Sequence, residues 1–298
     1  MDAYWAEKKL QLWFAQEGFV MNETLAQKLS ELNNDFYRSQ STSFSDTRKA
    51  KWLGWERCLA EMGKYSEGAF SGTNNSGRET LSVLDVACGN LRFEEFLATS
   101  LPTTTLKVVA LDSCDDLVSD ARASTDVNYI HCDVIQELSK SEFDSGLARC
   151  LSAYKICPVD LSVSFGFMHH IPLPEWRTSL LQSLVGATTQ GGYVVVSFWR
   201  FMDNESMAKK AQVTHEQAQE YLSNQGFLDA QDLAEFNEGD YLIGWRNTPG
   251  VYRYCHSFSD AEIDALVEDV ANKADCVARF RADGRTGNLN EYLVLYVK

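Results

Sequence analysis

A chain of 298 residues with 45% hydrophobic and 23% charged residues has the composition of a folded globular protein, and this excludes disordered and fibrous classes. Its net charge of −15 excludes nucleic-acid binding by the average surface, since a polyanion is repelled unless a local basic patch or a basic partner intervenes. No run of about 18 apolar residues occurs and Met1 to Glu7 carries no basic or apolar leader, so the expectation is a cytoplasmic protein without a membrane segment.

Residues 3–62 place Trp5, Leu10, Trp13 and Phe14, then Leu25, Leu29, Leu32 and Phe36, then Trp52, Trp55 and Leu59 at helical spacing, predicting two or three helices. The Gly-, Ser- and Asn-rich stretch 66–77 reads as a linker. The expected division is therefore an N-terminal helical segment and linker over 1–77 and a main domain over 78–298. From Leu81 the pattern changes to short apolar runs at 81–86, 106–111, 128–131, 160–165 and 193–198, interleaved with helical spacing at 90–100 and 174–187. Such alternation predicts a doubly wound, mostly parallel α/β sheet covered by helices. An insertion at about 203–256 is helical over 205–224, then irregular and acidic, then aromatic over 241–256. A helix at 260–271 and strands at 276–281 and 289–297 complete seven predicted strands. The eight cysteines form no C-x-x-C pair and the five histidines do not join them at zinc spacing, so reduced thiols and no structural metal are expected.

The first strand runs Val83-Leu84-Asp85-Val86 into Ala87-Cys88-Gly89-Asn90, ending in an acid and small residues before a helix opens. Small residues let the backbone approach a ligand, and a helix N-terminus presents free N–H groups to a carboxylate. The second strand ends at Asp112-Ser113, some 20 residues on, where an acid accepts hydrogen bonds from ribose hydroxyls. Asp115 and Asp116 sit where a helix begins and read as capping residues. The third strand is followed by Asp133-Val134. Acids at three strand ends suit adenosine, with Asp85 near an amino-acid end, Asp112 at the ribose and Asp133 at the adenine amino group; a pyrophosphate would be repelled.

This order of acid-tipped strands resembles the class I S-adenosylmethionine-dependent methyltransferases. The resemblance continues through Ser162 to Pro172, which looks like that family's fourth motif, and through Gly191 to Trp199. It implies S-adenosylmethionine as cofactor, bound by Arg48, Asp85, Ala87, Gly89, Asn90, Asp112, Ser113, Asp133, Val134, Phe165 and His169. The family's three-glycine turn reads Ala87, Gly89 and Leu91 here. Adjacent His169 and His170 do not both face one ligand, so at least one of them is expected to be structural.

A narrower similarity lies outside that core, in Phe36-Tyr37, in Phe44 to Arg48, in Trp52, in Gly239 to Arg246 and in Arg253 to Phe258. These segments resemble the eukaryotic tRNA wobble-uridine carboxyl methyltransferases, which form the methyl ester of 5-carboxymethyluridine. Gly244 and Cys255 depart from that pattern. The resemblance implies that Arg253 and Arg246 orient an acceptor carboxylate beside His256; a carboxylate is already ionised near neutral pH and needs no general base. The expected partner is a methyl acceptor, either tRNA or a small molecule, and an activating partner subunit is allowed for. The net charge favours the small molecule, whereas the Arg-Tyr…His segment favours tRNA. A non-catalytic partner subunit that keeps the cofactor fold is the remaining alternative, and the three retained acids count against it.

Overall fold

The computed structural model describes residues 21–65, 80–119, 127–140, 146–154, 156 and 158–298; the helix predicted around Trp5 to Phe14 and the linker at 66–77 lie outside them. Seven strands form one sheet: β1 (Thr80–Val86), β2 (Thr105–Asp112), β3 (Val127–His131), β4 (Val159–Ser164), β5 (Thr188–Trp199), β8 (Ala274–Ala282) and β9 (Asn290–Val297). Their order is β3-β2-β1-β4-β5-β9-β8. The first five run parallel, and β9 is antiparallel to both β5 and β8.

Alternation along the strands builds two cores, one on each face. Leu84 and Val86 of β1, Val194, Val196 and Phe198 of β5, and Leu293 and Leu295 of β9 pack on one side. Leu81 and Val83, Tyr193 and Val195, and Tyr292 and Val294 pack on the other. Helices Glu23–Asp46, Pro174–Gly186 and Asp260–Val270 contribute to the first core; Leu53–Tyr65 and Arg92–Ser100 contribute to the second. The N-terminal helices thus close both faces. Gly54 permits this on the second face: a Cβ there would lie 2.2 Å from the Tyr292 ring.

Two stretches differ from the expectation. Strand β5 begins at Thr188, not near 193, and Gly191-Gly192 lies inside it where the register with β4 shifts between Val159 and Leu161. Glycine inside a strand marks an irregularity or a close approach, and here a Cβ on Gly192 would sit 2.7 Å from the Asp160 carbonyl. The aromatic run 241–256 is a hairpin of β6 (Asp240–Gly244) and β7 (Tyr252–His256), with Arg246 and Asn247 at positive φ in its turn. The helix of the insertion spans Glu205–Asn224, as the spacing predicts.

Candidate functional site

The carboxyl ends of β1 to β4 open into a cavity of about 430 Å³, the place where open α/β sheets hold ligands. Asp85, Ala87, Gly89, Asn90, Asp112, Ser113, Asp133, Val134, Phe165, His169, Arg48 and Arg253 all line it. The fold therefore brings together in one cavity all the residues that the resemblance assigns to the cofactor, and one of the three that it assigns to the acceptor.

The turn after β1 is wound by three left-handed residues, Ala87, Gly89 and Leu91. Leu91 adopts φ 54° where the family has glycine, and its side chain is 5% exposed in the second core. The departure in sequence thus keeps the backbone path and adds a core anchor, at a conformational cost of about 1–2 kcal/mol. Asp112 ties neighbouring loops together: one carboxylate oxygen accepts from Gly89 N–H at 2.8 Å and the other from Cys114 N–H at 2.9 Å. Asn34 reaches Asp133 at 2.8 Å and Ser113 at 3.4 Å, so the long first helix fixes both groups. Asp133 also caps the helix that Val134 opens, accepting from Gln136 N–H. Asn90 accepts from Arg92 and donates to the Arg48 carbonyl, holding the segment 48–52 over the turn. Trp52 in that segment lies 3.1 Å from the position a Cβ would take on Gly166.

The opposite wall is cationic. Arg253 is 5% exposed, its Nε has no hydrogen-bond partner, and among the described residues no carboxylate pairs with it. Its guanidinium lies among the rings of Phe36, Trp245, Trp199 and Phe44 at 4.9 to 6.0 Å and donates to the Tyr37 hydroxyl at 3.4 Å. Arg48 stacks on Phe44 at 4.5 Å; burial first, and then the like charge of Arg253, lower its pKa. The charge of a buried guanidinium is costly without an anion, and among the described residues Arg253 has none.

His170 relays from Tyr37. Its Nε2 is 2.8 Å from the Tyr37 hydroxyl and its Nδ1 is 3.0 Å from the Tyr254 carbonyl, which only accepts, so Nδ1 carries the proton and Nε2 receives the phenolic hydrogen. Burial and the charge of Arg253 push its pKa down to about 3. His169, whose Nδ1 is buried without a partner, is held well below the usual imidazole value by burial, then by His170, Arg253 and Arg48. His169, His170 and Cys255 offer three metal-ligating atoms within 4.8 Å of one another. Arg253 beside them and the hydrogen bonds on both His170 nitrogens oppose a cation there.

His256 and Arg246 do not line the cavity. On a strand, residues three apart face opposite sides, so with Arg253 turned into the cavity His256 points away from it. Its Nδ1 and Nε2 each lie 2.7 Å from a carboxylate, Asp240 and Glu262 respectively. Arg246, in the hairpin turn, is exposed and lies over Trp245. Asn34, which lines the cavity, and Glu94, buried behind Asp85, were not singled out from the sequence, and Tyr37 and Trp199, which also line it, were named only within resembling segments, without a role. Helical spacing marks Phe36 but does not reveal that its neighbours face a ligand.

The strand order, with β9 antiparallel between β5 and β8, is that of the Rossmann-like class I methyltransferase fold. No protein-family model matches the chain, and no curated protein matches it by sequence. Among solved structures, it is similar to an S-adenosylmethionine-dependent methyltransferase from Methanosarcina mazei at 15% identity, over 74% of this chain and 95% of that one, with a TM-score of 0.49. It is also similar to a 1,6-didemethyltoxoflavin-N1-methyltransferase from Burkholderia thailandensis at 13% identity, over 89% and 88% of the two chains, with a TM-score of 0.48. A third, an S-adenosylmethionine-dependent methyltransferase from Clostridium acetobutylicum, is 9% identical over 84% and 94%, with a TM-score of 0.49.

Proposed function

We propose that this protein is an S-adenosylmethionine-dependent methyltransferase whose acceptor is a carboxylate. The observation that carries this reading is the polarity of the cavity, with Asp85, Asp112 and Asp133 on one wall and Arg253, whose Nε has no partner, on another, while Arg48 beside it is left for the carboxylate of the cofactor. A cationic methyl donor fits the first wall and an anionic acceptor fits the second. On this reading Asp112 receives the ribose hydroxyls, Asp133 the adenine amino group and Asp85 the amino-acid end. When bound, the cofactor supplies an electrophilic methyl group on a sulfonium.

The residues of the chain then have three tasks. Arg253 receives the acceptor as a planar donor fork, desolvated by its aromatic surround, which strengthens the pairing and fixes orientation. Tyr37, hydrogen-bonded between Arg253 and His170, holds the fork in place. His169 and His170 are neutral and weakly basic at neutral pH, which suits an acceptor that arrives already deprotonated and does not suit an alcohol that must lose a proton.

The carboxylate belongs to either a small acid or a modified tRNA uridine. The net charge of −15 favours the small acid, and His256, which the tRNA resemblance places beside the acceptor, is held in the fold by Asp240 and Glu262. Tritiated S-adenosylmethionine incubated with the protein and either total RNA or a small-molecule extract tests both points. Label in the small-molecule fraction that mild alkali releases as methanol is expected, because methyl esters hydrolyse. Alkali-labile label in RNA would transfer the assignment to tRNA, and alkali-stable label in either would refute the carboxylate.

A further inference from the structure

Behind the acidic wall lies a second carboxylate that the cofactor reading does not use. Glu94, in the first turn of helix Arg92–Ser100, is 0% exposed, and Asp85 on β1 is 2% exposed. Both oxygens of Glu94 and Oδ1 of Asp85 have no hydrogen-bond partner, although Asp85 lines the cavity. A carboxylate in a first helical turn is ordinarily explained by capping or by the helix dipole, but such a role leaves its oxygens on N–H groups or in water. These oxygens are in neither.

Two buried carboxylates lacking donors do not both stay charged; one proton shared between them is the neutral solution. Burial acts most strongly on both, and on Glu94 it is opposed by its own backbone N–H and by Asp85. Burial raises Glu94 to about 7, and burial followed by Glu94 and Asp112 raises Asp85 well above the carboxylate range. Asp112 and the Cys88 thiol are the other titratable groups facing the pair, and no cation is among the groups acting on either carboxyl. We propose that Glu94 and Asp85 together form the receptor for an alkylammonium ion, the ammonium of the methionine moiety of S-adenosylmethionine, and that the pair holds one proton when the site is empty and releases it when the ammonium arrives. The proposal rests on the cofactor reading above. Its balance is simple: a pair carrying one proton and one negative charge becomes two carboxylates, Asp85 against the ammonium and Glu94 behind it, and the proton passes to solvent. Glu94, which lies behind Asp85 and does not line the cavity, is a positioning residue that acts through Asp85, and capture of the cofactor is coupled to pH.

Calorimetric titration of the full chain with S-adenosylhomocysteine, at about pH 6.5 in buffers of different ionisation enthalpy, measures the proton directly. The product carries the same ammonium without reacting. Release of a large fraction of one proton is expected, and Glu94→Gln should abolish it while weakening binding roughly tenfold or more. 5′-Methylthioadenosine, which lacks the amino acid, should bind the wild type and Glu94→Gln equally and release nothing. Thermal melting of the ligand-free variant serves as the folding control and as a second readout: the wild type should lose stability as pH rises from about 5 to about 8, and the isosteric variant should not. Binding of S-adenosylhomocysteine by the wild type without proton exchange, or an unchanged affinity ratio between the two nucleosides in Glu94→Gln, overturns the proposal while leaving the cofactor reading intact. Failure of the wild type to bind either nucleoside overturns both.

Discussion

Arg253 and His256 belong to one short strand and one sequence segment, yet only the first reaches the cavity. Arg253→Ala should lower kcat/KM for the acceptor by the equivalent of about 2–5 kcal/mol and leave cofactor affinity unchanged, as for a lost buried charged pair. Arg253→Lys keeps the charge without the planar fork and should recover only part of the activity. Steady-state kinetics with the true acceptor, beside a cofactor titration, checks both; full activity in folded Arg253→Ala returns the residue to a structural role. His256 has the opposite signature. Removing it takes one donor from each of Asp240 and Glu262, so His256→Ala should cost about 1–3 kcal/mol in urea unfolding. Burial pushes Glu262 up, but the hydrogen bond and charge of His256, then Arg177, outweigh it and hold the carboxyl at about 2. A depressed acid stabilises above its unfolded value of about 4.5 and loses that contribution as pH falls toward about 2, so Glu262→Gln should flatten the acid limb of the stability curve there. An acid limb identical to the wild type would show that the pairing does not carry this stability.

At the scale of elements, the sheet was legible because the apolar runs are short, separated by helical spacing and tipped by acids, a pattern with few alternative solutions. The hairpin β6–β7 was not. Its aromatic residues serve a strand, a helix or a loop equally well, and its turn uses Arg246 and Asn247 at positive φ in place of glycine. The start of β5 was misplaced for a related reason: Gly191-Gly192 looks like a boundary, whereas it accommodates the Asp160 backbone inside the strand. Leu91 shows how a rule is kept by an unexpected residue. Leu91→Gly should relieve about 1–2 kcal/mol of left-handed strain but lose a buried leucine worth about 2–5 kcal/mol, for a net destabilisation in chemical unfolding. A more stable glycine variant would mean that Leu91 does not anchor the turn.

For the whole molecule, spacing indicated that Asp85, Asp112 and Asp133 lie at strand ends, which in a doubly wound sheet converge on one edge, while the rest of the proposed cofactor wall came from the family resemblance. The acceptor wall was half-readable. Its Arg253 lies outside the sheet and reaches the cavity because Asn33 pairs with the Tyr254 backbone, at 2.7 Å to its N–H and 3.2 Å to its carbonyl, joining a helix and a hairpin some 220 residues apart. No local pattern encodes that contact. Among the described residues no helix is long and apolar enough to cross a membrane. The net charge of −15, with Arg253 and Arg48 lining a cavity, suits the proposed reading of a surface that repels anions in general and an acceptor site that takes one.

The most direct measurement of the central claim is calorimetric titration of S-adenosylmethionine into the wild type and Asp112→Ala, with melting curves to confirm that both are folded. Saturable single-site binding by the wild type is expected, weakened in Asp112→Ala by about 1–3 kcal/mol, the loss of charged hydrogen bonds to a ribose diol. No binding by the folded wild type, or equal affinity in the two proteins, would contradict it.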